Sequence, residues 1–168
     1  PVGFLVLLDK PRTVRTEREG SGRSKAPIDR PEGYIPTGTE GRRRMNEQWM
    51  KLLVQLRKRY TALTETLDLT MQMGEALDRN DRTSFSMLLA MRQEPVLRMQ
   101  ELDGNIRRIV EIDASDIEAR WRALVRGDNP QNADAQMIVH QMQQNKRVIE
   151  RLVPIDSRIS QVLSERKS

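Results

Sequence analysis

From Asn46 to about Arg79 the apolar side chains recur three and four residues apart. Trp49, Leu53, Leu56, Tyr60, Leu63, Leu67 and Met71 form the row, and Gly74 and Leu77 continue it. Such spacing turns one face repeatedly toward a neighbour, which is the pattern of a long helix packed on another helix. No segment of the chain sustains the two-residue alternation of a half-buried strand, so no sheet is expected. The expected fold is all-α: an elongated antiparallel helical bundle or hairpin over residues 45–168, behind a disordered N-terminal segment.

The breaks between helices are marked chemically. Asp78-Arg79-Asn80-Asp81 interrupts the row, and Asn80 or Asp81 can cap the next helix with a side-chain oxygen. That helix is expected from about 82 to 111, with Phe85, Leu88, Leu89, Arg92, Val96, Met99, Leu102 or Asp103, Ile106, Ile109 and Val110 inward. Pro95 predicts a kink near 91–94, and Gly104 is an alternative break. Ser115 and Glu118 have capping-box spacing, so a short helix should run from Asp116 to Val125 with Ile117, Trp121, Leu124 and Val125 on one face. Gly127-Asp128-Asn129-Pro130 is a stop signal. The last helix should run from about Asn132 to Leu163, with Pro154 interrupting it and Asp156 offering a new cap. Its stripe reads Ala135, Ile138, Met142, Asn145, Ile149 and Leu152.

Residues 1–44 are different in kind. They hold five of the eight prolines, six of the nine glycines and ten Lys/Arg against six Asp/Glu, a net of +4. Residues 45–168 carry a net of only +1, so the overall +5 is mostly a property of the front. That composition reads as a disordered basic arm or a solvated tail. A third reading makes it a non-native extension, with the natural protein starting at Met45, because all nine methionines lie at or after that residue. A nucleic-acid binder concentrates positive charge on its folded surface. Nucleic acid is therefore an unfavoured partner, reachable only through residues 10–44.

Chemistry has few candidates here. The chain has no cysteine and a single histidine, which excludes disulfides, thiolate nucleophiles and sulfur-rich metal sites. His140 sits off the Ile138–Met142 seam among glutamines and is expected in solvent. Asp113, Asp116 and Glu118 precede or begin a helix, where acids serve its positive end rather than a metal. No nucleotide-binding, metalloprotease or serine-hydrolase motif is present. No enzyme activity, cofactor or metal is expected. The longest apolar run, Val2–Leu8, reaches Asp9 too soon for a membrane span, so the expected location is the cytoplasm. The methionines Met71, Met73, Met87, Met91, Met99, Met137 and Met142 are either core filling or an adaptable apolar groove. Asn145, on a seam, is either a register device or a polar contact to a bound helix.

Two segments carry a family resemblance. Asp116-Ile117-Glu118-Ala119-Arg120-Trp121-Arg122-Ala123-Leu124 is the first. Gln141-Met142-Gln143-Gln144-Asn145-Lys146-Arg147-Val148-Ile149-Glu150-Arg151-Leu152 is the second. With the long first seam they resemble the FlgN-type flagellar type III export chaperones over about residues 45–163. The resemblance implies a cytoplasmic chaperone of bacterial flagellum biogenesis. Its partners would be the C-terminal amphipathic helices of hook–filament junction proteins, kept from polymerising until export by helix-in-groove capture. It assigns binding to the last helix, through Ile138, Met142, Asn145, Ile149 and Leu152. The export gate is the second partner implied, reached in the family through a tyrosine-bearing tail; no tyrosine follows Tyr60 here. The alternatives are another secretion chaperone or a coiled-coil adaptor that self-associates into homo-oligomers.

Overall fold

The structure, a computed structural model, describes residues 38–112 and 116–167, with side chains placed for 46–111 and 117–167. Four helices make up nearly all of it: α1 (Gly38–Asp78), α2 (Arg82–Ile112), α3 (Asp116–Arg126) and α4 (Ala133–Glu165). There is no strand among the described residues, and the fold is an all-α helical bundle. The readings of residues 1–37, including the basic arm, and of the Asp113–Ser115 cap lie outside the described residues. Helix α1 begins at Gly38, ahead of the methionine that opens the periodic region.

Both tight turns are built from short side chains and left-handed backbone. Asn80 adopts φ 57°, its N–H donates to Leu77 O, and Asp81 N–H donates to Ala76 O at 2.8 Å. These two bonds satisfy the last carbonyls of α1, and asparagine tolerates the left-handed region better than most residues. Asp81 then accepts from the Ser84 amide at 3.0 Å and the Ser84 hydroxyl at 2.6 Å, capping α2. Three residues thus reverse the chain. Gly127 (φ 98°) ends α3 in the same way, with its N–H on Leu124 O and Asp128 N–H on Ala123 O. Asn132 caps α4 through the Ala135 amide at 2.8 Å.

Helix α1 spans about 60 Å at 1.5 Å per residue, and it packs along α2 on one side and α4 on the other. Gln55–Asn105 and Glu65–Arg98 contacts show α2 antiparallel to it. Leu56–Asn145 and Asp78–Arg158 contacts show α4 running parallel to α1 and so antiparallel to α2, the up–down–up order of an antiparallel bundle. The backbones of α2 and α4 approach each other far less closely.

The core has three apolar layers. Trp49, Leu52, Leu56, Val110, Ile117, Leu124 and Ile138 close one end. Leu63, Leu67, Val96, Met99, Ile149 and Leu152 fill the middle. Leu69, Met73, Leu77, Leu88 and Ile159 close the other end. Full burial of a side chain such as Met99, with no exposed surface, stabilises by about 1.5–3 kcal/mol.

Several sequence expectations are corrected. Tyr60 and Met71 are 36% and 40% exposed, while Leu52, Thr66, Thr70 and Met73 point inward. A helix with two neighbours buries a wider arc than a two-helix seam, and steps of seven from Trp49 land on Thr70 rather than Met71. The hydroxyls of Thr66 and Thr70 donate to the carbonyls of Ala62 and Thr66, both at 2.7 Å, so they are satisfied inside the core. Leu89 and Val125 are exposed rather than inward. Helix α2 runs unbroken through Gly104 as expected, whereas Pro154 does not interrupt α4. Pro154 lies on the solvent side of α4, where water can serve the carbonyl that its missing N–H leaves free. Pro95, by contrast, is fully buried in α2. Asp156 is not a cap but a buried group in mid-helix.

Candidate helix-binding site

The residues assigned to a partner lie on α4, an amphipathic helix of 33 residues. Ile138 packs in the layer around Trp49 and is 1% exposed. Ile149 and Leu152, 7% and 1% exposed, pack in the middle layer. Asn145 is 2% exposed. Its Nδ2 donates to Leu56 O at 3.1 Å and its Oδ1 accepts from Gln141 Nε2 at 3.1 Å. Met142 is half-buried against the Trp49 layer. The stripe is real as a stripe, and four of its five residues are buried, packed with α1 and with side chains of α2 and α3. Val148 and Gln141, which the 3-and-4 row skipped, share the buried face. Asn145 fixes the register of α4 on α1, since one position of α4 alone brings its amide to the Leu56 carbonyl. An Ile149→Asp substitution would therefore put a charge in the core and would not isolate binding from folding.

Polar groups interrupt the apolar layers. Gln141 and Asn145 separate the Trp49 layer from the middle one. Further along, Arg92 Nη1 reaches Asp156 Oδ1 at 2.6 Å and Thr70 Oγ1 at 3.2 Å, tying all three long helices at one level. Between α1 and α2, Arg59 pairs with Asp103 at 2.9 Å. Burial raises the Asp103 pKa above an ordinary aspartate, against the pull of Arg59 and Arg107. The Asp81 pKa is lowered, mainly by its Ser84 hydroxyl and then by the Ser84 amide. The signs oppose. Asp81 adds stability that is present above the unfolded-state value and lost as pH falls through its lowered folded value. Asp103 loses stability as pH rises from the unfolded value through its raised folded one. Carboxyl-carbon NMR titration should find Asp103 titrating above, and Asp81 below, the aspartates of the urea-unfolded chain.

The Trp49 indole N–H has no acceptor among the described residues, although Trp49 is 2% exposed. Trp49→Phe removes that donor, whose burial costs about 1–3 kcal/mol, while giving up some packing. The expected net change is below about 1 kcal/mol in urea unfolding, against about 3–5 kcal/mol for Trp49→Ala.

What stays open lies elsewhere. Met50 and Val54 on α1, Met87, Met91 and Leu97 on α2, and Met137 on α4 are each more than two-fifths exposed. Of the methionines read as a possible groove, Met73 and Met99 are core, while Met71, Met87, Met91 and Met137 face outward. His140 is exposed, as expected. Among the described residues no three His, Cys, Asp or Glu side chains group as metal ligands. Asp113 and the Asp116 side chain lie outside the described residues. No described helix is long and apolar enough to cross a membrane.

Fold and site together define an all-α bundle with one long helix laid along a central one. Comparison with known protein families, curated proteins and solved structures found no match to the chain.

Proposed function

We propose that this protein is a cytoplasmic chaperone of flagellar type III export that holds the C-terminal amphipathic helix of a hook–filament junction protein until delivery. The sequence resemblance over residues 116–124 and 141–152 supports the family. The observation that carries the binding mode is the seating of α4: it rests on α1 with little backbone approach to α2, and polar groups at Gln141, Asn145 and Asp156 break its apolar face. A helix whose apolar interface is interrupted by polar groups belongs to the less stable part of a fold.

Cargo capture then works by exchange. The α4 stripe lifts from α1 and takes an amphipathic helix of the same apolar spacing. Because the competent open state is a small fraction of the population, apparent affinity is reduced by that fraction. Weak, reversible capture suits a protein that must surrender its cargo at an export gate.

The test is titration of the full chain with synthetic C-terminal helices of hook–filament junction proteins, read by calorimetry and hydrogen exchange. Binding should come with altered protection in 49–67 of α1 and 138–152 of α4. Absence of binding overturns the chaperone reading; binding with no change there overturns exchange. A self-associating adaptor is the second reading, favoured by Met87 and Met91, which stand one helical turn apart at 59% and 52% exposure. Sedimentation velocity showing a stable oligomer, lost in Met87→Lys/Met91→Lys, would select it.

A further inference from the structure

A cavity of about 260 Å³ opens at the end of the bundle where the α1–α2 turn meets the last turn of α4. Its apolar lining includes Leu77 of α1, Phe85 of α2 and Leu163 of α4. Its rim is cationic: Arg82, Arg166 and Lys167 all line it. Asp81 is the one carboxylate in the lining, and it is committed to the Ser84 cap. Arg166 is steadied by its bonds to Asn80 Oδ1 at 3.2 Å and Leu77 O at 3.4 Å. Arg82 and Lys167 are exposed and make no ion pair among the described residues.

We propose that this cavity seats the C-terminal residue of a partner polypeptide, with an apolar side chain on the Leu77–Phe85–Leu163 floor and the chain's α-carboxylate among the three cations. Three features select that occupant. At about 260 Å³ the volume is at the small end of ligand sites and has room for one large side chain. The lining carries a net charge of +2, which favours an anion. Apolar floor and charged rim are adjacent, so the ligand must carry both features on neighbouring atoms, as a terminal residue does. The proposal deepens the reading above and rests on it only for whose terminus is bound. The cavity lies beyond Ile159, at the far end of the α4 stripe, so a captured helix running parallel to α4 delivers its terminus there.

The test uses minimal probes that do not depend on the chaperone reading. N-acetyl-L-phenylalanine and its amide are titrated into the full-length protein and followed by amide and methyl NMR shifts. The acid should perturb Leu77, Phe85 and Leu163 and bind about tenfold more tightly than the amide, the scale of one charge-assisted contact. Arg82→Gln/Lys167→Gln leaves the Arg166 tie intact. It should remove that preference without moving the thermal midpoint. Equal binding of acid and amide, no binding of either, or shifts confined to other surfaces would overturn the proposal. A parallel titration with a cargo helix, as free acid and as C-terminal amide, separates the two ideas. Equal affinities sink the end site and leave the chaperone, whereas binding of the small acid with no binding of either helix does the reverse.

Discussion

Replacing Arg92 with methionine should lower the unfolding free energy by about 3–5 kcal/mol, because the change strands a carboxylate in the core. Asp156 is 6% exposed and its Oδ1 lies 2.6 Å from Arg92 Nη1. The same guanidinium nitrogen donates to the Thr70 hydroxyl, which in turn donates to Thr66 O. Bringing both charges out of water consumes much of what their attraction returns, so the intact pair contributes little net stability. Losing one partner is a different matter, since the desolvation already suffered by the other is no longer offset. The double variant Arg92→Met/Asp156→Leu should therefore recover most of the loss. Urea unfolding of the wild type, both single variants and the double completes a cycle whose coupling energy isolates the pair. A single-variant loss below about 1 kcal/mol would mean that water reaches Asp156 and that the layer is not sealed.

Arg92 also shows how far the sequence could be read. Its place on the inward face of α2 follows from the apolar spacing on either side of it. Its partner does not, because Asp156 stands two residues after Pro154, where an aspartate ordinarily begins a new helix. Which face a proline takes depends on the helix phase set by packing, and Pro154 happens to face solvent, so the helix continues. The turns were legible for a local reason: Asn80, Asp81, Gly127 and Asn132 act through their own backbone neighbourhood. The α1 stripe was legible only in part. Thr66 and Thr70 look like surface residues until their hydroxyls find carbonyls one turn back, and Tyr60 looks like core until packing fixes which arc of α1 is covered. The five α4 residues posed the hardest case. An apolar stripe states that something covers it, and only tertiary structure decides whether that cover is a partner or α1. The end cavity escaped sequence reading altogether, since Leu77, Phe85 and Leu163 come from three helices and Arg82 and Lys167 look like ordinary surface charges.

Leu152 turns that last ambiguity into a number. It is 1% exposed and packs in the middle layer with Leu63, Leu67, Val96 and Met99. On an open groove, Leu152→Ala would change stability by less than about 0.5 kcal/mol, as surface substitutions do. In the core it removes buried methyl groups and leaves a cavity that long helices cannot readily collapse, so a loss of about 2–5 kcal/mol is expected. Met142→Ala, at a half-buried position on the same helix, should cost clearly less, which controls for the general effect of truncating α4. Exchange capture adds a second consequence. Leu152→Ala weakens the α1–α4 contact and the cargo contact alike, so opening becomes easier while the opened stripe binds less well. Destabilising α1 instead, through Leu63→Ala, should raise the open fraction without touching the binding face and so tighten the apparent affinity for a cargo helix. Opposite movements of affinity in these two variants, at similar losses of stability, would identify α1 as the competitor that a cargo helix has to displace; parallel weakening in both would place cargo on a surface that the closed bundle already presents.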